Sequence, residues 1–500
     1  MSISFNTIPN QLKVPLFYAE IDHSQAGYAT QNYRALLIGQ KLPNTPGETN
    51  TPTLLTRLDE AKVHYGSGSM LARMYEAYRA NDAINEVWCI ALEEKESANM
   101  QAASGKIDIA GIATENGTLF LYIAGQCLQV GIARLEKADA ICKKIADAIN
   151  ATDSLPVIAT YAGTIVSLTS KWKGDSSNDI TLLLNYRGLT QGEKLPAGIK
   201  ITCQKMTGGA GYPDLSPTIA KLGDEEYDFI ILPYANAATL DAIGLEMNDS
   251  GGRWSYARQI YGHVYTAKRG YLRELQALGR SRNDPHITIA GFEFGVPTPC
   301  WEYAAQYGGR NAQFISLDPA RPTQTGELIG ALPAPAGERF LMSERQMLLS
   351  NGIATSFTAT GAICIERAIT TYQRNKWNQP DPSYLDSETL HTSAYVLRFL
   401  RKRITSKYGR HKLANDGTRF GAGQAIVTPQ VIRGELIAAY RELEDQGIVE
   451  NAALFAKYLI VERPANDPNR LNILLPPDYV NQLRIFAVLN QFRLQYNAAA

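Results

Sequence analysis

The sequence predicts a multidomain chain of mixed α/β and α+β class, and three observations lead there. Its 500 residues are 45% hydrophobic, enough to fill several cores, which predicts two to four domains. Apolar runs of strand length alternate with helix-period stretches at 33–94 and again from 228, the pattern of an α/β layer. Between them, residues 95–200 hold a succession of short strands with a single helix. A β-rich domain is therefore predicted as an insertion into the α/β domain, whose two parts are 26–94 and 201–337.

The elements follow in chain order. VPLFYAEI at 14–21 has the aromatic and β-branched content of a strand, while Pro9 and Pro15 keep it from being a central one. No hairpin partner lies near it, so 1–25 is predicted to be an extended arm. YRALLIGQ at 33–40 is a buried strand, 67–80 a helix capped by Ser67 or Ser69, and EVWCIALEE at 86–94 a second strand. Strand, helix, strand implies a parallel pair. In the insertion, strands are predicted at 105–112, 117–125, 128–133, 164–174 and 178–186, and an amphipathic helix at 137–151 with Ile141, Ile145 and Ile149 on one stripe. DFIILPY at 228–234 reads as a strand covered on both faces, followed by a helix at 237–245. Further strands are predicted at 286–294 and, from QFISLDP, at 313–319. From about 338 to 447 the chain reads as mostly helical, giving a C-terminal domain at 338–463. A Pro-rich loop and an extended tail, QLRIFAVLNQFRLQY at 482–496, complete a second arm over 464–500.

Catalytic signatures are missing. GSGS at 66–69 completes neither GxGxxG nor a P-loop and reads as a helix-start turn; TGGAGYPD at 207–214 reads as a glycine turn. GDEEYD at 223–228 precedes a strand and reads as a solvated turn. There is no GxSxG elbow and no HExxH helix. The six cysteines (Cys89, Cys127, Cys142, Cys203, Cys300 and Cys364) and the six histidines are dispersed, so no metal or cofactor is expected and the cysteines read as reduced core residues. Neither a secretory signal nor an apolar run of about 18 residues is visible, which predicts a soluble chain made in a reducing cytoplasm.

Charge is balanced, 49 Lys and Arg against 49 Asp and Glu, which removes the field expected of a nucleic-acid or anionic-membrane binder. Against that balance RFLRKRITSKYGRHKL at 398–413 carries seven basic residues and no acid. A helical wheel places Val396, Leu397, Leu400, Ile404 and Tyr408 on one face. Arg398, Arg401 and Lys402 then project from the other, with Arg403 and Lys407 at the edges. This basic ridge reads as a solvated face or as a docking surface. Without interleaved stacking aromatics or a nucleic-acid module, an acidic protein is the better partner for it.

The stretches at 343–375, 381–404, 407–417 and 423–450, with GDEEYDFIILPY, LTSKWKGDSSNDI and VPLFYAEID upstream, closely resemble the contractile tail sheath protein of Mu-like phages. The resemblance implies a structural virion protein, not an enzyme, that polymerises with copies of itself into a helical sleeve around a tail tube. Contraction of such a sleeve drives the tube through the host envelope during genome ejection. It implies a subtilisin-like α/β middle domain, an outer β-rich insertion and a mixed C-terminal domain next to the tube. It further implies N- and C-terminal arms exchanged between subunits, here anchored by Leu16, Phe17, Tyr18, Ile485, Phe486, Val488 and Phe492. The basic ridge, Arg398, Arg401, Lys402 and Lys407, would face the tube. The implied partners are the tube, baseplate and tail terminator proteins, with no nucleic acid and no membrane, in a virion tail. The alternatives are the sheath of a headless tail-like particle and, in a different class, an α/β hydrolase-type enzyme, which would need a triad-like site in a deep pocket.

Overall fold

The computed structural model of the chain describes residues 33–92, 94 and 99–494. The expected N-terminal arm, with Leu16, Phe17 and Tyr18, lies outside the described residues. The first strand, β1 (Arg34–Gln40), is buried almost throughout. β2 (Thr53–Leu55), α1 (Leu58–Tyr65), α2 (Met70–Asn81) and β3 (Glu86–Leu92) follow, and β3 pairs with β1 in parallel along its length. GSGS is a helix-start turn. The Ser69 hydroxyl accepts from the Ala72 amide at 3.1 Å, and Gly68 takes φ +77° where a Cβ would lie 2.4 Å from the Leu155 carbonyl.

The inserted β structure comprises β4 (Ser104–Gly111), β5 (Gly117–Ile123), β6 (Gln126–Ile132), α3 (Ala138–Ala151), β7 (Val157–Ala162), β8 (Ile165–Ser170), β9 (Leu182–Leu184) and β10 (Ile199–Thr207). These form an antiparallel sheet in the order β10-β4-β8-β7 and a three-stranded sheet in the order β6-β5-β9. The buried Ile141, Ile145 and Ile149 of α3 pack against these strands. The expected boundary at 200 is corrected here, because β10 crosses it: Ile199 to Gln204 pair with Gly111 to Lys106 of β4, so the β-rich unit extends to Thr207. Its solvent-facing Lys200, Thr202 and Gln204 lower the apolar signal of this return strand.

Past α4 (Ser216–Lys221) the α/β layer resumes with β11 (Phe229–Ile231), α5 (Ala237–Met247), β12 (His263–Gly270), α6 (Leu272–Arg280), β13 (Ile287–Glu293) and α7 (Cys300–Leu317). One six-stranded sheet results, ordered β13-β12-β11-β1-β3-β2, parallel except for β2. QFISLDP is not a strand. Its first five residues, Gln313 to Leu317, are the last turn and a half of α7, a helix in which Ala304, Tyr307, Asn311, Ala312 and Ile315 recur at helical spacing on the buried side, and Asp318 and Pro319 follow its end. A five-residue apolar run cannot separate the two periods, and the eighteen-residue helix decides it. α7 lies close to both the sheet and α2: a Cβ at Gly308 would sit 2.2 Å from Ile231 Cδ1, and one at Gly309 2.9 Å from the Tyr78 carbonyl.

The remaining chain contains α8 (Met342–Leu349), the hairpin β14 (Thr355–Ala359) and β15 (Ala362–Arg367), and the long helix α9 (Ser387–Tyr408). A two-residue parallel pair, β16 (Lys412–Leu413) and β17 (Ile426–Val427), precedes α10 (Pro429–Asp445) and α11 (Ala452–Tyr458). The antiparallel pair β18 (Ile460–Glu462) and β19 (Asn472–Leu474) comes last. The hairpin interrupts what reads as helical sequence, and Ala354, just before β14, bridges Ala290 of β13. Two apolar cores result. The larger spans the six-stranded sheet and the insertion; the smaller is built around α10 by Val396, Leu400, Ile432, Leu436, Tyr440 and Phe455. No helix among the described residues is long and apolar enough to cross a membrane.

Candidate interaction surfaces: the basic helix and the C-terminal segment

α9 begins after Asp386, carries Glu388 in its first turn and runs 22 residues to Tyr408. Val396 and Leu400 are buried in the smaller core, with Ile404 and Tyr408 packed against it. Leu397, expected on the same stripe, is 37% exposed. A second contact explains why: α9 also packs on its N-terminal half against the α/β layer, so its buried surface turns round the helix instead of following one stripe.

Arg398 sits on that second contact and does not project. Its side chain is 11% exposed, with Nη1 2.6 Å from Asp228 Oδ1 and Nη2 2.7 Å from Glu226 Oε1. Nη2 also donates to the Tyr261 carbonyl at 3.3 Å, and the guanidinium stands 5.7 Å from the Tyr261 ring centre. Burial alone would lower the Arg398 pKa, but the Asp228 and Glu226 carboxylates outweigh it and raise it. GDEEYD is therefore not simply a solvated turn. Two of its acids are the internal partners of a basic residue 170 positions away, a pairing that opposite-charge runs hint at but linear spacing cannot specify.

Two further cations turn inward at the other end. Arg403 reaches Glu435 and Glu442 of α10, each at 2.6 Å, and Lys407 reaches Glu435 at 2.6 Å. The Tyr408 hydroxyl donates to Glu435 at 2.8 Å. Burial pushes the Glu435 pKa up, yet these three donors prevail and hold it near 2. Lys407 remains about half exposed. Arg401 and Lys402 are exposed and make no ion pair among the described residues; Arg401 Nη1 donates only to the Gln259 carbonyl at 3.3 Å. Beyond the helix, Arg410, Lys412 and Arg419 are exposed as well. The free positive charge is thus narrower at the helix than the sequence implies, and continues past its end.

The C-terminal segment divides at Arg484. Gln482 Nε2 donates to the Ala320 carbonyl at 3.1 Å, and Gln324 Nε2 to the Leu483 carbonyl at 3.3 Å. Arg484 is 10% exposed, with Nη2 3.1 Å from Glu388 Oε1 and 3.3 Å from Asp386 Oδ1. Downstream there is neither helix nor strand up to Leu494, and Ile485, Phe486, Val488, Leu489, Phe492 and Leu494 are 76–97% exposed. The tail is thus not a strand within its own subunit. Nearby in sequence, β18 and β19 form a sheet of two strands among the described residues, and Ile460, Ile473 and Leu474 are exposed. So large an exposed apolar surface on a segment that is neither helix nor strand marks an interaction site.

Residues 208–371 match the phage tail sheath protein central domain, and residues 379–493 match the phage tail sheath C-terminal domain. The Mu-like prophage FluMu tail sheath protein of Haemophilus influenzae is 38% identical over 497 residues, which cover 99% of this chain and the whole of that protein. The chain belongs to the phage tail sheath family. Among solved structures, the sheath tail protein of Desulfitobacterium hafniense aligns over 94% of this chain and 97% of its own, at 12% identity and a TM-score of 0.50. The sheath tail protein of Listeria innocua aligns over 91% and 93%, at 11% identity and a TM-score of 0.48.

The matched central domain begins at residue 208, directly after β10, and the matched C-terminal domain contains both α9 and the exposed tail. The surfaces described above therefore lie within the family's own domains. The buried polar centre of this sheath protein is a packing feature: His263 Nε2 lies 2.7 Å from Thr288 Oγ1, and His391 Nε2 lies 3.1 Å from the Tyr265 hydroxyl. Burial, reinforced by Arg398, pushes the His391 pKa down to about 3, and burial pushes that of His263 well below its usual value. His391 thus joins α9 to β12 through Tyr265, and its ring centre lies 5.6 Å from that of His263. Neither was singled out in the sequence, where isolated histidines carry no positional signal.

Proposed function

We propose that this chain is the repeating subunit of a contractile sheath, polymerised helically around a tail tube and contracting to drive it through the host envelope. One observation carries the reading: an apolar segment, 485–494, left exposed just beyond an anchored Arg484 and matched by a two-stranded sheet with open edges. A strand added from one subunit to the sheet of the next gains main-chain hydrogen bonds, and alternate side chains such as Ile485, Phe486, Val488 and Phe492 supply its anchors. Head-to-tail use of unlike surfaces gives an open helix. The N-terminal segment with Leu16, Phe17 and Tyr18 supplies the second arm, the α/β domain is subtilisin-like without being catalytic, and the β-rich insertion lies on the outside. Baseplate and terminator proteins bind the two ends of the sleeve. The subunit is made in the host cytoplasm and functions in the virion tail.

Arg401 and Lys402, with the half-exposed Lys407, face the tube in this reading, while Arg398 serves inside the subunit. Exposed ion pairs contribute about 0.2–1 kcal/mol each, which suits a grip that is repeated along the tail and released on contraction. Arg401→Glu combined with Lys402→Glu is expected to leave the monomer folded, since both side chains are exposed. Co-sedimentation with purified tail tubes should then fall to background. Undiminished co-sedimentation would remove these residues from the tube contact.

A further inference from the structure

We infer that Arg484 is the positioning residue that sets the register of the exchanged C-terminal segment, by clamping the chain to its own subunit one residue before the segment leaves. The inference deepens the arm-exchange reading and rests on it. A strand docking on a neighbour's sheet must present the correct alternate side chains, because a slip of one residue turns every side chain to the opposite face. A free coil has no fixed origin from which to count. Here an origin exists.

The Arg484 guanidinium enters a buried acidic recess at the start of α9, between Glu388, whose side chain is fully buried, and Asp386. Both acids also have other partners. Arg367 pairs with Asp386 at 2.7 Å, and the Thr323 amide and hydroxyl donate to Glu388 at 3.0 and 2.9 Å. The recess is therefore a fixed part of the subunit, held by β15 and the loop after α7, and is not formed by the tail. Gln482, donating to the Ala320 carbonyl, and Gln324, donating to the Leu483 carbonyl, add tethers on the two residues before it, and the Arg484 Nη2 also donates to Gln482. Immediately after this clamp the exposed apolar run begins, with Ile485 already 77% exposed. The change from buried charge to free apolar chain takes a single residue, which places Ile485 and every later anchor at a set distance from the subunit.

The test is a double-mutant cycle on the full-length chain, read as the critical concentration for tube formation by sedimentation, with thermal melting as the check on folding. One Ala inserted between Arg484 and Ile485 shifts the register, and is expected to raise the critical concentration about tenfold in the wild-type background. In Arg484→Ala, where the segment can slide to restore its register, the same insertion is expected to change it less than about twofold. Arg484→Ala combined with Glu388→Gln removes the clamp without leaving a buried carboxylate short of its cation, and gives the same relief should Arg484→Ala alone fail to fold. Equal insertion effects in clamped and unclamped backgrounds would overturn the role of Arg484. A chain ending at residue 484 that forms tubes at the wild-type concentration would instead overturn the arm reading, and the register role with it.

Discussion

Arg398 and Arg401 differ by three positions on one helix and by nearly everything else. The first is an internal bolt between α9 and the edge of the α/β layer, and the second is free at the surface. Removing one partner of a buried ion pair leaves the other charge uncompensated, which costs about 3–5 kcal/mol. Arg398→Met is therefore expected to lower stability by about that amount in urea titration, with Asp228→Asn in the same chain recovering part of it. A loss below about 1 kcal/mol would mean that water reaches Asp228 and the pair is not buried in solution. Assembly defects in Arg398 variants would accordingly report folding and not contact with a partner.

At the scale of elements, the packing of α9 on β12 includes the contact of neutral His391 with Tyr265. With His391 held near 3 in the folded chain and near its ordinary 6.5 in the unfolded one, the unfolded state takes up the proton first as pH falls. Stability from this group is complete above about pH 6.5 and is lost progressively toward pH 3, by up to about 1.4 kcal/mol per pH unit. Between pH 6 and 5 the wild type should therefore lose stability more steeply than His391→Gln, by about 1 kcal/mol per unit. Parallel profiles would show that the imidazole is not buried neutral. The carboxylates facing this junction, Asp228 and Glu388, are common to both chains and cancel in the comparison.

Legibility in the sequence also varied by element. β1, α2, β3, α3, β11 and β13 were readable because each carries an unbroken apolar run or a clean helical stripe. β12 was not, since HVYTAKRG mixes buried His263 and Thr266 with charge and shows neither period. The end of α7 was misread for the opposite reason, a short apolar run whose helical phase lies upstream. The tail was legible as an apolar segment, but its anchoring at 482–484 was not. Arg484 finds its acids about a hundred residues away, as Arg398 finds Glu226 and Asp228 at a still greater separation. Charged pairs of this kind depend on the tertiary fold, and no local pattern announces them.

For the whole molecule, two cores bury the sheets and the C-terminal helices, yet the chain leaves its last described apolar residues in solvent. Zero net charge at neutral pH allows copies to approach without mutual repulsion. Under the proposed arm exchange, the exposed tail of one subunit supplies the strand that the β18–β19 pair of the next accepts. The most direct measurement is negative-stain electron microscopy of the purified full-length chain beside a chain ending at residue 484, over the same concentration range. The full-length chain should form hollow, helically striated tubes above a critical concentration, while the shortened chain, with Arg484 and both cores intact, should remain a folded monomer. Ordered tubes from the shortened chain would contradict the central claim that the exposed C-terminal segment joins one subunit to the next.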